Sequence, residues 1–333
     1  MNKPAPSFRA HVCREYGDHR ELAVSELPLS APGPGEVLIR NRAFAVGFPD
    51  LLTIQGKYQR KPALPFVPGS EFCGAVAAVG DNVSQLCVGE LVIGNVLIGA
   101  YAEMIIAPAE NCLKLPQPFN FIHGAAFQTA YKTAYVGLVE RGNLQAGETL
   151  LVHGAAGGVG LAAVELGKVL GARVIATASG TDKLGVAIAN GADDVIDGSD
   201  ASFGDAVKAL TGGAGANVIF DPVGGDTFDE SLHCIAPFGR LLVIGFASGR
   251  IPAVPANYPL LKQISIVGVR AGEFGRLDPA GGRRVNAALL DLANADKLHP
   301  HIRRQLPFDG VIRAFDEIVD RTVAGRIVVL TGQ

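Results

Sequence analysis

Residues Leu150 to Gly180 read LLVHGAAGGVGLAAVELGKVLGARVIATASG. Within them HGAAGGVG, from His153 to Gly160, gives up side chains almost completely. Before it, Thr149–His153 is a short apolar run with the β-branched Val152; after it, Arg173–Thr177 is a second. Both have the size of strands buried on two faces. Between them Leu161, Val164, Val169 and Leu170 recur at helical spacing, and Gly171 stands where a helix C-cap belongs. The unit therefore reads strand, glycine turn, helix, strand. Such a crossover is right-handed in nearly all proteins, which brings the helix N-terminus to the carboxyl end of the first strand. Unpaired N–H groups and the positive end of the helix dipole there suit a pyrophosphate. A Cβ on Gly157 or Gly158 would hold the backbone away from phosphate oxygens, and Gly160 lets the helix lie close on the strand. The spacing Ala155-x-Gly157-x-x-Gly160 is a variant of the dinucleotide fingerprint. A glycine turn can also be a plain tight turn, but this one has the flanking strand and helix that a dinucleotide site requires.

The alternation continues. Ala192–Asp197, Asn217–Val223, Arg240–Phe246 and Ser265–Arg270 read as further strands, with helices at Thr181–Asn190, Ser202–Leu210 and Thr227–Ile235. Regular alternation of this kind predicts an α/β domain with a doubly wound parallel sheet.

The flanking regions differ. Residues 1–125 carry short β-rich runs (Glu36–Arg40, Gly74–Val79, Glu90–Ile93, Ala102–Ala107) punctuated by PGPGE, PFVPG, VGDNV and CVGE, the turn-rich pattern of an antiparallel barrel-like domain. Past the central sheet, His299–Pro307 reads as extended, Val311, Ala314, Phe315, Ile318 and Val319 mark an amphipathic helix, and Arg326–Leu330 is a strong strand. The expected organisation is a β-rich domain over 1–125, a dinucleotide domain over 126–273, and a return of 274–333 to the first domain. Ligands favour domain interfaces and the carboxyl ends of parallel strands, so the cleft between the two is the expected active site.

The 333 residues suffice for two cored domains, and 48% hydrophobic against 18% charged residues excludes a disordered chain. A formal net charge of -3 without a long basic run leaves no electrostatic footprint for nucleic acid or an anionic membrane. The N-terminal MNKPAPSFRAHVCREYG lacks the apolar core of a signal peptide, and no stretch is long and apolar enough to span a bilayer, so a soluble cytoplasmic protein is expected. The five cysteines, Cys13, Cys73, Cys87, Cys112 and Cys234, include no C-x-x-C pair and read as free, mostly buried thiols.

GPGEVLIR, FPDLLTIQGKY, LPFVPGSEFCG, TAYVGL, HGAAGGVGLAAVELGK, LTGG, VIFDPVGGDTF, GRLLVIGFASG and GRIVVLT follow one another in an order and spacing that resemble the zinc-free, quinone-oxidoreductase (ζ-crystallin-like) branch of the medium-chain dehydrogenase/reductase superfamily. The resemblance implies a GroES-like catalytic domain joined to a Rossmann cofactor domain. Zinc-dependent cousins carry a Cys three residues before an Asp, and a G-H-E motif; those positions hold Gly47, before Asp50, and Ser70, in Gly69-Ser70-Glu71. The cousins' four-cysteine zinc lobe is missing as well. Without thiolate or imidazole at these positions no metal is expected. Alcohol oxidation, which needs a Lewis acid for the alkoxide, becomes unfavourable. Hydride transfer to a quinone or an α,β-unsaturated carbonyl remains, because conjugation spreads the incoming charge.

The same resemblance implies where the groups bind. Tyr58, in GKY, matches a tyrosine on the substrate side, either as a hydrogen-bond donor or as an aromatic wall. Gly47, Leu52 and Arg270 belong to the substrate side too. Cofactor contacts fall on Thr129, Ala130, Ala155, Ala156, Gly157, Gly158, Val159, Gly160, Ser179, Lys183, Gly245, Phe246, Ala247 and Arg321. The strand end Ala176-Thr177-Ala178-Ser179-Gly180 has no acid for a ribose 2′-OH, while Lys183 matches the family's 2′-phosphate lysine and Ser179 can donate a hydrogen bond, so NADPH is expected. Asp197-Gly198 stands where the family has Asn-Tyr, which removes one contact and sets a carboxylate nearby. The family's amide is replaced by Gly47, a nicotinamide-facing threonine falls on Ala130 with Thr129 one residue earlier, and a second tyrosine aligns with Leu52. Arg270-Ala271-Gly272 replaces a bulkier aromatic pair. A roomier, less polar cleft is the expectation.

Other residues have plainer readings. His153 reads as a core-edge histidine. His299 and His301 lack the further ligands a metal needs. Lys132 is either solvated or an attractor for an anionic substrate, Asp221 and Asp226 belong to a strand-end turn, and Arg321 is either a cofactor contact or a solvated helix-end charge. Ser265–Arg270 is expected at a sheet edge, where relatives pair two subunits as a homodimer. Two alternatives stay open: an enoyl-thioester reductase, for which Arg60, Lys61 and Arg270 are the basic candidates, and a non-catalytic crystallin-like or RNA-binding role, which the absence of a basic, aromatic-interleaved face disfavours.

Overall fold

The computed structural model describes residues 6–199 and 202–332. The chain forms two compact units, one of Met1–Thr129 with Ile302–Gln333 and one of Ala130–His301. In chain order the first unit contributes strands β1 (Ser7–Val12), β2 (Ala23–Pro28), β3 (Glu36–Val46), β4 (Glu71–Val79), β5 (Leu91–Asn95), β6 (Met104–Pro108) and β7 (Cys112–Lys114). The second contributes β8 (Thr149–Val152), β9 (Arg173–Ala178), β10 (Asp194–Asp197), β11 (Ala216–Asp221), β12 (Ile235–Val243) and β13 (Ser265–Gly268), and the returning chain adds β14 (Ile302–Pro307) and β15 (Arg326–Leu330).

In the first unit β3 is the organiser. It pairs antiparallel with β15, β4 and β6 within a seven-stranded sheet in which six strands follow the order β14-β15-β3-β4-β5-β7 and β6 joins β3 off that path. Phe44, Phe72, Tyr101 and Phe315 are fully buried against it, and the rings of Phe44 and Tyr101 stack at 4.7 Å. Tyr101 passes directly over Gly69, where a Cβ would lie 2.0 Å from the ring, and φ is +93° there, so both sterics and backbone demand glycine. The expected amphipathic helix spans Val311–Val319 and buries Val311, Ala314 and Phe315. A helix at Phe48–Ile54, in a stretch where periodicity predicts none, begins at Gly47 with Pro49 in its first turn, a position that needs no proline N–H.

The second unit contains the expected parallel sheet, ordered β10-β9-β8-β11-β12-β13. Its first strand β8 lies between β9 and β11, so the winding reverses between β8 and β11. The helix after the glycine turn runs Gly158–Val169. Close helix–strand packing falls on Gly167, whose Cβ would lie 2.6 Å from Leu150, whereas Gly160 packs on the turn itself, 2.3 Å from the Gly154 carbonyl oxygen. Helices Ala271–Leu277 and Pro279–Asn294 belong to this unit, so the chain returns at Ile302 rather than at 274. Their glycines and Pro279 disguise them in the sequence, yet Val285, Leu289 and Ala293 are buried and Asp278 accepts the Gly281 N–H at the second helix's start. Cys13, Cys73, Cys112 and Cys234 are buried and Cys87 is exposed, all as free thiols. Among the described residues no helix is long and apolar enough to cross a membrane.

The contrast between two glycines is measurable. Gly160→Ala drives a Cβ into the backbone of Gly154 and Ala155, and is expected to cost about 1–3 kcal/mol in urea unfolding. Gly185→Ala, in the middle of Thr181–Ala189 with nothing within 4 Å, is expected to add about 0.5–1 kcal/mol of stability. Equal effects of the two would refute the packing role of Gly160.

Candidate active site

In the second unit three strand-end segments meet at the carboxyl edge of the sheet. The first is the turn after β8, in which Gly154 has φ +55° and Gly157 starts the helix without a side-chain cap. Pro222 and Val223, after β11, lie against Gly154. Phe246 to Ser248, after β12, fold onto that segment through Ala247 N–H to Pro222 O at 3.1 Å and Ser248 N–H to Val223 O at 2.9 Å. Ala155 and Ala156 are buried, Gly158 and Val159 half-buried, and Gly157 exposed. An uncapped helix start at this edge, on a turn where a Cβ at Gly160 would strike backbone, fits a pyrophosphate.

Asp221 holds this edge together. Its Oδ1 accepts N–H groups of Val223 at 2.8 Å and Gly224 at 2.9 Å, while its buried Oδ2 has no partner among the described residues. Burial pushes its carboxyl up to about 6. His153 is fully buried between Thr177 Oγ1 and Ser231 Oγ, each at 2.8 Å. Ser231 spends its proton on Thr227 O, so His153 Nε2 donates and Nδ1 accepts from Thr177. Burial pulls its pKa down to about 3, and the ring is a neutral structural strut, as its core-edge reading implied.

Around the 2′ side, Ser179 is exposed and Lys183 half-buried in the first turn of its helix. Asp197 is ionised: Ser199 donates from Oγ at 2.7 Å and from N–H at 3.0 Å, and the Gly180 N–H adds to these in holding its carboxyl below the usual range. Lys132 is half-buried, and desolvation lowers its pKa. Arg270 is ion-paired with Glu273 at 3.6 Å.

In the first unit polar groups converge at one rim of the seven-stranded sheet. Gly47 follows β3, Glu71 begins β4, Asn95 ends β5 and Arg326 begins β15. Glu71 and Arg326 form a buried ion pair, with side chains 3% and 11% exposed, and Glu71 also accepts the Thr129 N–H at 2.7 Å. Asp50 accepts Tyr101 Oη at 2.9 Å, Ser70 Oγ at 3.2 Å and Gly47 N–H at 3.1 Å. Burial pushes Asp50 up to about 6 and raises Glu71 as well, against the nearby Arg326. Tyr58 is half-buried, its hydroxyl unpartnered among the described residues, with its N–H on Leu52 O at 3.1 Å. In the second unit, Ala130 is buried and bears no polar side-chain group; the hydroxyl one helical turn onward is Thr133. Arg321 is exposed in the turn after Val311–Val319, with φ 54°. Neither the Glu71–Arg326 pair nor Asn95 carries a local sequence signal, and 255 positions separate the paired charges.

Two families match the chain: an alcohol dehydrogenase GroES-like domain over residues 33–117 and a zinc-binding dehydrogenase over 158–283. A quinone oxidoreductase-like protein 2 homolog of Nematostella vectensis is 40% identical over 331 residues, 98% of this chain and 90% of that protein. A mycobacterial protein solved in complex with NADPH superposes with a TM-score of 0.90 at 34% identity, covering 97% of this chain and 100% of that one. An enoyl reductase solved in its apo form has a TM-score of 0.87 at 26% identity, covering 98% and 99%. The residues present do not fit the zinc that one family description implies. Gly47 has no donor, the Ser70 proton is spent on Asp50, and no group of three His, Cys, Asp or Glu side chains could hold a metal among the described residues.

Proposed function

Because the chain belongs to the zinc-independent quinone oxidoreductase branch of the medium-chain dehydrogenase/reductase superfamily, we propose that it reduces quinones and other conjugated carbonyls with NADPH and without a metal. One observation carries the reading: among the described residues at the rim of the first unit, Gly47 offers no donor, and Ser70, Asp50 and Glu71 are already bonded to neighbours. An acceptor must then tolerate hydride addition without a Lewis acid, and conjugation provides that tolerance.

The nicotinamide group, when bound, supplies a hydride. The chain's own part is to hold the dinucleotide and meet the charge that grows on the acceptor. Backbone N–H groups of Gly157 to Gly160 and the dipole of Gly158–Val169 suit the pyrophosphate, with Ala155, Ala156, Gly245, Phe246 and Ala247 along the same edge. Lys183 and Ser179 suit a 2′-phosphate, in keeping with the relative solved with NADPH. Ionised Asp197 acts against that choice and narrows the margin over NADH. Tyr58, with a hydroxyl available, donates to the acceptor oxygen, while Gly47 and Leu52 add no polar group beside it.

The enoyl-thioester reading has its own support in the enoyl reductase likeness. A steady-state assay with NADPH and 9,10-phenanthrenequinone, beside one with crotonyl-CoA, separates the two. Quinone turnover that survives a chelator is expected; turnover of crotonyl-CoA alone, or activity lost to the chelator and restored by zinc, would reject the proposal.

Lys183→Ala is expected to weaken NADPH binding by about 1.5–3 kcal/mol, the worth of a charge-assisted hydrogen bond, and to leave NADH nearly unchanged. Isothermal titration reads both, and equal losses would reject Lys183 as the 2′-phosphate ligand. The edge strand β13, followed by Arg270 and preceded by Leu260 and Leu261 at 76% and 75% exposure, pairs with a second copy to form a homodimer. Light scattering at micromolar concentration is expected to give twice the chain mass, and a monomer mass would contradict it.

A further inference from the structure

Asn95 ends the apolar run Leu91–Asn95 with an amide, directly opposite Glu71 in the β4–β5 register. Its amide orientation is settled by its neighbours. Glu71 takes the Thr129 N–H, the Thr129 hydroxyl and the Arg326 guanidinium. A carboxylate only accepts, so the Thr129 hydroxyl spends its one proton on Glu71 and has only lone pairs to offer elsewhere. The Asn95 group 3.0 Å from Thr129 Oγ1 is therefore its NH2. Arg326, Glu71, Thr129 and Asn95 form one directional chain, a buried charge pair at one end and an oriented amide at the other. Asn95 is half-buried, and its second N–H and its Oδ1 have no partner among the described residues. Gly47 lies beyond the ion pair from Asn95: a Cβ there would sit 3.5 Å from Arg326 Nη1.

We propose that Asn95 is a specificity-determining residue that donates its second amide N–H to the carbonyl oxygen of the conjugated acceptor. The inference rests on the reductase reading. As hydride adds to the conjugated system, the displaced electron pair collects on that oxygen, and a proton from solvent completes the reduced product. An N–H on an amide already fixed by Thr129 can stabilise the growing charge without reorganising. Gly47 cannot supply such a donor, and Asn95 supplies it from two strands away, roughly 10 Å across the sheet. Thr129, Glu71 and Arg326 are positioning residues that fix the amide.

The test uses the full-length protein with NADPH and 9,10-phenanthrenequinone, and follows NADPH binding separately by the cofactor's fluorescence. Asn95→Leu is expected to lower kcat/KM about 10- to 100-fold, with the Kd for NADPH unchanged within about twofold. Thr129→Val is expected to lower kcat/KM by a smaller factor and Thr129→Ser to restore it, which a merely structural role for the hydroxyl would not require. Should Asn95→Leu fail to fold, Asn95→Asp keeps the shape while replacing the donor by an acceptor, and the same loss is expected. Unchanged kcat/KM in the variant that folds, or a parallel loss of NADPH binding, overturns the assignment of Asn95 alone. A wild-type protein that turns over neither quinone nor enone overturns the reductase reading and this inference with it.

Discussion

The ion pair of Glu71 with Arg326 joins the beginning of β4 to the beginning of β15, two strand ends brought together by the chain's departure at Thr129 and its return at Ile302. Burying two charges costs several kcal/mol each in lost hydration. Here the cost is offset by their mutual attraction and by the Thr129 N–H and hydroxyl, which occupy further lone pairs of Glu71. Removing either partner alone would leave a buried charge uncompensated, so the rim cannot loosen piecemeal. The same pair decides what the rim can do chemically. Glu71 already has its cation, Asp50 already has three donors, and neither is available to a metal.

The second unit meets a different demand with backbone rather than charge. Its carboxyl edge offers an uncapped helix start on a turn that tolerates no Cβ at Gly160, supported by the Asp221 carboxyl that gathers the Val223 and Gly224 N–H groups. His153, the most conspicuous ionisable group there, is neutral and enclosed, so the chemistry at this edge belongs to whatever the turn holds. A chain whose described residues offer binding surfaces and no side-chain group fit to hold a metal is suited to a reaction in which conjugation in the acceptor spreads the incoming charge.

The parts of the fold legible in the sequence were those written in local periodicity. Thr149–His153 and Arg173–Thr177 emerge as β8 and β9 within a residue, and Val311, Ala314 and Phe315 line the buried face of their helix. Helix Pro279–Asn294 was hidden because glycines and a proline mask its period, although its stability comes from buried Val285, Leu289 and Ala293, which no local pattern announces. The motif spacing assigns the helix–strand spacer to Gly160, whereas Gly167 has that role, a distinction that depends on whether turn backbone or strand side chains pass nearest. Asn95 and Arg326 left no signal at all, since an amide at a strand end and an arginine in a closing strand acquire meaning only through partners far away in the chain.

Metal-free hydride transfer to a conjugated carbonyl is the reaction proposed for this chain. Its most direct test is to incubate the protein, stripped of metals and held in excess chelator, with NADPH deuterated at the transferred position and an α,β-unsaturated ketone, and to locate the label in the product by NMR. One deuterium on the β-carbon of the saturated ketone is the predicted result. Deuterium on the carbinol carbon of an allylic alcohol, or product formed only after zinc is returned, would contradict the account.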